Sequence, residues 1–295
     1  MLLAAVPAPR LTWNLVDDVR HLFDFPFMVN ALRAGTVVAV TAAIVGWFMV
    51  LRRQTFAGHT LAVIGFPGGA GAVLVGLSAQ LGFFAFCIVG AIVIAAVGDQ
   101  RRSAFAGESA VIGLVQATAL ASGFLFVSLH GGNLNGINAL LFGTFIGVTN
   151  ADVVRLACVG GAAIAAMAVI ARPLLFASVD PDVAAARGVP VRSLSLVFLL
   201  LLGAAAGASA QITGTLLVFA LLVLPPATAQ VITARPSLGI PLSIVVALAG
   251  TWVGLGVAYY SPYPIGFWIS TIAFGLYVVV RIVAVAGRNT RWRFG

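Results

Sequence analysis

Three histidines, His21, His59 and His130, are the plainest metal-ligand candidates in the chain, and no two of them stand at ligand spacing. His59 is the informative one. It lies a few residues past Arg53, about 9 Å of helical rise into the apolar run that follows. An imidazole at that depth can ligate a cation or accept a proton, and it can equally hydrogen-bond a neighbouring helix. The carboxylates Asp99, Glu108 and Asp152 sit at the edges of apolar runs rather than as pairs inside one. No nucleophile–base pair, glycine-rich phosphate loop or His-Glu-x-x-His signature occurs, which argues against an intramembrane enzyme. No ATP-binding motif occurs either, so energy for active transport has to come from a partner or an ion gradient. The other polar side chains within apolar runs are Gln116, Gln211, Thr228 and Gln230. Such groups are costly in lipid and face a bundle interior or a water path. For Gln116, interhelical bonding and a pathway role stand as equals.

A second polar stretch runs over 172–193. Arg172-Pro173 opens it, Asp180-Pro181-Asp182 follows, and Arg187-Gly188-Val189-Pro190-Val191-Arg192 closes it. Prolines bracket a short helix over Asp182 to Arg187, with Asp180 as N-cap and Gly188 as stop. Apolar runs of membrane-spanning length flank it on both sides. A loop with its own helix, held at a membrane surface, is either a solvated connector or a docking knob for a soluble partner.

The elements that must position these residues follow from composition. Of 295 residues, 61% are hydrophobic and 8% charged, against about 25% charged in a soluble domain. The fold class is therefore all-α: a polytopic membrane helix bundle, since the apolar runs are long and lack the alternation of barrels. The net charge of +8 comes from arginine alone, and in a membrane chain it reports topology rather than nucleic-acid binding. Cys87 and Cys158 fall inside apolar runs and read as packing residues. Met1 to Pro9 lacks a basic n-region and is too short in its apolar part for a cleaved signal.

Residues 1–26, with Trp13, Asp17, Asp18, Arg20, His21, Phe23 and Phe25, read as an N-terminal interfacial segment; 27–295 form the membrane domain. Spanning runs are expected at about 27–51, 59–77, 81–98, 108–129, 152–171, 194–211, 214–233, 240–258 and 265–285, which makes about nine. With the N-terminus outside and the C-terminus in the cytoplasm, only Arg10, Arg20 and Arg155 fall outside and Arg33 falls within the first run; every other arginine is cytoplasmic. Leu134 to Val148, too short and glycine-broken to span, is expected to be re-entrant. Tyr259-Tyr260-Ser261-Pro262-Tyr263-Pro264 reads as an outer turn at headgroup depth. Gly203/Gly207 and Gly250/Gly254 have the spacing that lets helices approach closely. No internal repeat is evident. Arginine without lysine, with abundant alanine and glycine, suggests a GC-rich bacterial genome and so a bacterial cell membrane.

Several fragments, in order, resemble the permease subunits of zinc- and manganese-type ATP-binding cassette importers. They are Arg52-Arg53-Gln54-Thr55-Phe56-Ala57-Gly58, Phe66-Pro67-Gly68, Glu108-Ser109-Ala110-Val111-Ile112-Gly113 and Leu140-Leu141-Phe142-Gly143. Asp180-Pro181-x-x-Ala184-x-x-x-Gly188, Ser209-x-Gln211-x-x-Gly214 and Leu224-Pro225-Pro226-Ala227-Thr228-Ala229 complete the set. The resemblance implies that Asp180, Pro181, Ala184 and Gly188 belong to a coupling helix seated on a cytoplasmic ATPase. It implies a second permease copy (identical or different), two ATPase subunits holding ATP and magnesium, and an extracytoplasmic metal-binding protein. Zinc or manganese would be the cargo, with no cofactor bound by this chain. His59, Gln116 and Gln211 are then the pathway candidates, His59 as a metal ligand. One departure stands out: where the family pattern has Asp and, four residues on, His, this chain has His59 and Val63. A neutral site of that kind leaves a metal chelate or another small solute as the alternative cargo, and a channel or carrier needing no ATPase as the alternative machine.

Overall fold

The computed structural model describes residues 14–100, 105–131, 143, 147–215 and 218–291, and the backbone alone at 15, 16, 19, 97–100, 105–112, 211–213 and 287–291. Among the described residues every regular element is a helix: α1 Leu15–Phe23, α2 Pro26–Leu51, α3 Thr55–Leu74, α4 Ala79–Gln100, α5 Phe105–Leu129, α6 Asn150–Val179, α7 Pro181–Ala186, α8 Val191–Thr213, α9 Val218–Ile232, α10 Pro236–Tyr259 and α11 Ile265–Arg291. Seven of these, α2, α3, α4, α6, α8, α10 and α11, are long and apolar enough to cross a membrane. The bundle expected from composition is the bundle found.

One span is shorter than expected over its described residues. Helix α9 has 15 residues, a rise of about 22 Å against a hydrocarbon core of about 30 Å. Gly214, at φ +77°, ends α8 where the boundary between the runs at 194–211 and 214–233 is expected, and its carbonyl accepts the Val218 N–H at 3.1 Å as α9 begins. Helix α5, Phe105–Leu129, covers the run expected at 108–129. The re-entrant segment expected at Leu134 to Val148 lies outside the described residues, apart from Gly143, Gly147 and Val148.

Burial ranks the helices. The apolar windows of α3, α2 and α8 are 78%, 67% and 61% buried, those of α6 and α11 only 22% and 11%. The first three are therefore the centre, and the others form a ring whose outward side chains, Val169, Phe274 and Ile282 among them, are exposed and apolar. That exterior suits lipid and no aqueous surface.

Small residues set the close approaches, because lipid gives helices no hydrophobic drive to associate and contact distance decides. A Cβ added to Gly82 would meet the Gly68 carbonyl oxygen at 2.2 Å, and one on Gly68 would meet the Gly82 oxygen at 2.4 Å. Helices α3 and α4 thus touch backbone to backbone, and further along the same pair the buried Cys87 thiol donates to the Leu61 carbonyl at 3.3 Å. The Gly203/Gly207 spacing packs α8 on α4, against the Cys87 backbone and the Phe84 ring, while Gly254 seats α10 on Ile269 of α11.

Each end of the bundle is tied by polar contacts. At one end, Gln80 Nε2 donates to Asp152 Oδ1 at 3.0 Å and Arg155 donates to Gln80 Oε1 at 3.2 Å, while Thr149 and Asp152 form the capping box that starts α6. There too the Tyr260 hydroxyl donates to the Asp18 carbonyl at 2.8 Å, which pins α1 to the end of α10. At the other end, Gln230 Nε2 donates to the Trp47 carbonyl at 2.9 Å. That second end carries the polar stretch singled out in the sequence.

Candidate translocation and coupling site

Helix α7 is a six-residue helix on the elbow between α6 and α8. Its start follows from local chemistry. Asp180, in extended conformation, is the N-cap; its Oδ1 accepts the Val183 N–H at 3.0 Å, and Pro181 sits in the first turn, where its missing N–H leaves nothing unpaired. Its end follows as well, since Gly188 takes φ +82°, the left-handed conformation that stops a helix. The observed helix begins and ends one residue earlier than the expected Asp182 to Arg187. Ala184, expected at the coupling surface, is fully buried in the chain's own core and anchors α7 to α6 and α8. The exposed residues of α7 are Pro181, Asp182, Val183, Ala185 and Ala186. The exposed side of α7 is thus small, short-chained and carries one acid.

Where α2 ends, the elbow is gripped from inside the bundle. Arg52 donates from one guanidinium nitrogen to Ser178 Oγ at 3.1 Å, in the last turn of α6, and from the other to Ser195 Oγ at 2.8 Å, in the first turns of α8. Its Nε donates to Gln54 Oε1 at 3.2 Å, and the guanidinium carbon lies 5.4 Å from the centre of the Phe198 ring. Burial lowers its pKa from the ordinary arginine value, though a guanidinium stays cationic there. Composition alone placed Arg52 only as a mark of topology.

His59 lies in the second turn of α3, where α3, α5 and α9 meet. Its Nε2 is 3.2 Å from Gln116 Nε2, the Thr60 hydroxyl donates to Gln116 Oε1 at 3.2 Å, and Phe219 of α9 stands edge-to-face to the imidazole with centroids 5.2 Å apart. Two of the three pathway candidates are therefore in contact. The Gln211 side chain lies outside the described residues. His59 Nδ1 is buried and has no hydrogen-bond partner. With the amide as placed, Gln116 donates to Nε2 and the ring proton sits on Nδ1. With the amide turned over, Nε2–H donates to Oε1 and Nδ1 presents a bare lone pair. Either way Nδ1 is the one ring atom free to act. Val63, one turn on, is buried and apolar. No group of three or more His, Cys, Asp or Glu side chains gathers to hold a metal among the described residues. One imidazole with amide and hydroxyl neighbours can offer a single nitrogen ligand or a hydrogen bond.

Thr228 and Gln230, the remaining polar candidates, serve packing. Thr228 donates to the carbonyl of Leu224 in its own helix, and Gln230 to Trp47 as described. Sequence reasoning missed Thr60 and Phe219. Adjacency to His59 could have flagged the first; nothing local flags the second.

A model of the ABC 3 transport family matches residues 24–284, nearly all of the helical region. The chain belongs to the ABC 3 transport family. Among its relatives, the manganese transport system membrane protein MntC of Halalkalibacterium halodurans is 28% identical over 222 residues, covering 75% of each chain. The chelated iron transport system membrane protein YfeC of Yersinia pestis is 29% identical over 241 residues, covering 82% of this chain and 80% of its own. PsaBC from Streptococcus pneumoniae, solved in complex with Fab, superposes with a TM-score of 0.81 at 25% identity, over 90% of this chain and 95% of that one. An inward-facing putative metal-chelate type ABC transporter shares the fold, with a TM-score of 0.71 at 17% identity over 90% of each chain. In this ABC 3 chain, then, the exposed elbow and the single imidazole are the two features to be explained.

Proposed function

We propose that this chain is the membrane-spanning permease subunit of an ATP-driven importer, that its cargo is a divalent transition-metal ion, and that α7 takes its power from a separate ATPase. One observation carries the reading: a capped, exposed six-residue helix projects from the joint of two long apolar helices in an ABC 3 chain that has no ATP-binding motif of its own. The elbow end would face the cytoplasm, as Arg53, Arg187, Arg192 and Arg235 favour. The tyrosine-rich turn after α10 would then face outside, as would the N-terminus, with the C-terminus inside. Two permease copies would enclose one path, with two ATPase subunits below and a metal-binding protein above. ATP-driven closure of the ATPases would move the elbows and switch access largely by rigid-body motion.

In the path, His59 would meet the cargo. With the Gln116 amide turned and the ring proton moved through water from Nδ1 to Nε2, Nδ1 is a ligand; the reverse proton transfer releases the cargo. A lone neutral ligand gives weak, brief binding, which a conduit requires. His59 and Val63, standing where the family pattern has Asp and His, favour a second reading, in which the cargo is a metal chelate or another small solute that carries its own ligands. The test is uptake into proteoliposomes holding the permease and its ATPase, supplied with the binding protein. ATP-dependent accumulation of manganese or zinc supports the first reading; accumulation of chelated metal alone moves the cargo to the second. Equal transport without the ATPase would refute the machine itself.

A further inference from the structure

We infer that Arg52 is the positioning residue that ties the ATPase elbow to the helix carrying His59, so that the elbow's movement reaches the transport path. The inference rests on the coupling role proposed for α7. Its own support is geometric. The guanidinium holds both roots of the elbow, Ser178 just before α7 and Ser195 just after it. Through Nε it holds Gln54, whose backbone carbonyl accepts the Gly58 N–H at 3.1 Å and so begins α3. His59 follows Gly58 directly. The short link between α2 and α3 is also tightly set: Arg53 takes φ +56°, a conformation that a non-glycine residue keeps only when its surroundings enforce it. Gln54 N donates to the Met49 carbonyl at 3.0 Å.

The chemistry of the partners fits a grip that opens and closes. Every group on the Arg52 guanidinium is neutral: two hydroxyls, an amide oxygen and an aromatic face. The ion pairs of Arg155 with Asp152 and of His21 with Asp24 lie elsewhere. A buried carboxylate would lock the guanidinium, since breaking such a pair leaves an uncompensated charge. Hydroxyls and amides exchange singly, and the last turn of α6 adds the favourable end of its dipole. Arg52 can therefore keep its charge compensated while α6 and α8 shift relative to α3.

The experiment compares wild type with Arg52→Gln, and with a Ser178→Ala/Ser195→Ala variant that keeps the guanidinium but removes its two elbow acceptors. Each is co-reconstituted with the ATPase, and two quantities are read: ATPase bound per permease, and metal transported per ATP hydrolysed. Charged hydrogen bonds are strong enough that transport per ATP should fall about tenfold in either variant while ATPase binding stays within about twofold. A merely structural role lowers the amount of active complex without changing that ratio. An unchanged ratio in the serine variant overturns the inference, even if Arg52→Gln fails to fold. If the wild-type elbow binds no ATPase, both the inference and the coupling role fall. If it binds and the ratio holds, only the role of Arg52 falls.

Discussion

Asp180 is the place where a small perturbation should have a readable effect. Its carboxylate accepts the Val183 N–H at 3.0 Å and is the side-chain cap of a helix six residues long. A helix that short has no internal reserve, because nucleation is the expensive step and few bonds repay it. Asp180→Ala removes the cap, at a cost of about 1 kcal/mol. That is about a fivefold fall in the equilibrium constant for forming α7, and up to the same factor in ATPase affinity if α7 is what docks. Asp180→Asn keeps an equally good cap while removing the charge, so its affinity should stay within about twofold of wild type. The assay is equilibrium binding of purified ATPase to detergent-solubilised permease, read alongside the thermal stability of the permease alone. An equal loss in Asp180→Ala and Asp180→Asn would mean that charge, not helix formation, governs docking. No loss in either would refute the role of the cap.

Three further outcomes follow from the same geometry. Val183→Arg places its charge on the exposed side of α7 and should weaken ATPase binding at unchanged permease stability, whereas Ala184→Arg buries a charge in the core and should lower stability itself, by about 3 kcal/mol or more; binding assays and melting curves separate the two. His59→Ala should cut metal uptake at least about tenfold with assembly intact, and Gln116→Leu should cut it less, because it removes the partner and not the ligand; uptake equal to wild type in His59→Ala would end the pathway role of His59. Gly46→Val should abolish folded expression, since even a bare Cβ there would lie 2.1 Å from the Leu222 carbonyl oxygen, where α2 crosses α9; normal recovery from membranes would contradict that packing.

What was legible in the sequence is what local chemistry governs. Asp180, Pro181 and Gly188 each act on their own backbone, so a cap, a first turn and a stop could be read from three residues, and the helix lies within one residue of its expected place. The apolar runs likewise announced the spans by length. The break before α9 was legible at Gly214, which separates the runs expected at 194–211 and 214–233, but the backbone conformation that makes it was not. The burial of Ala184 was not legible either, since six residues make too few turns to reveal which side faces inward. Contacts between helices were the least accessible. His59 and Gln116 are 57 positions apart, and Arg52 reaches partners 126 and 143 positions away. In lipid most surfaces are apolar, so periodicity does not say which helix meets which.

The central claim, that α7 is the seat of the ATPase, is tested most directly by site-directed crosslinking. Cys158 is exposed and Cys87 buried, so replacing Cys158 by Ser leaves a background in which Val183→Cys or Ala185→Cys is the reactive thiol. In membranes containing the assembled complex, a short crosslinker should join either cysteine to the ATPase, with a yield that changes when ATP is added. Absence of that product, or labelling of either cysteine from outside intact cells by a membrane-impermeant maleimide, would contradict the account.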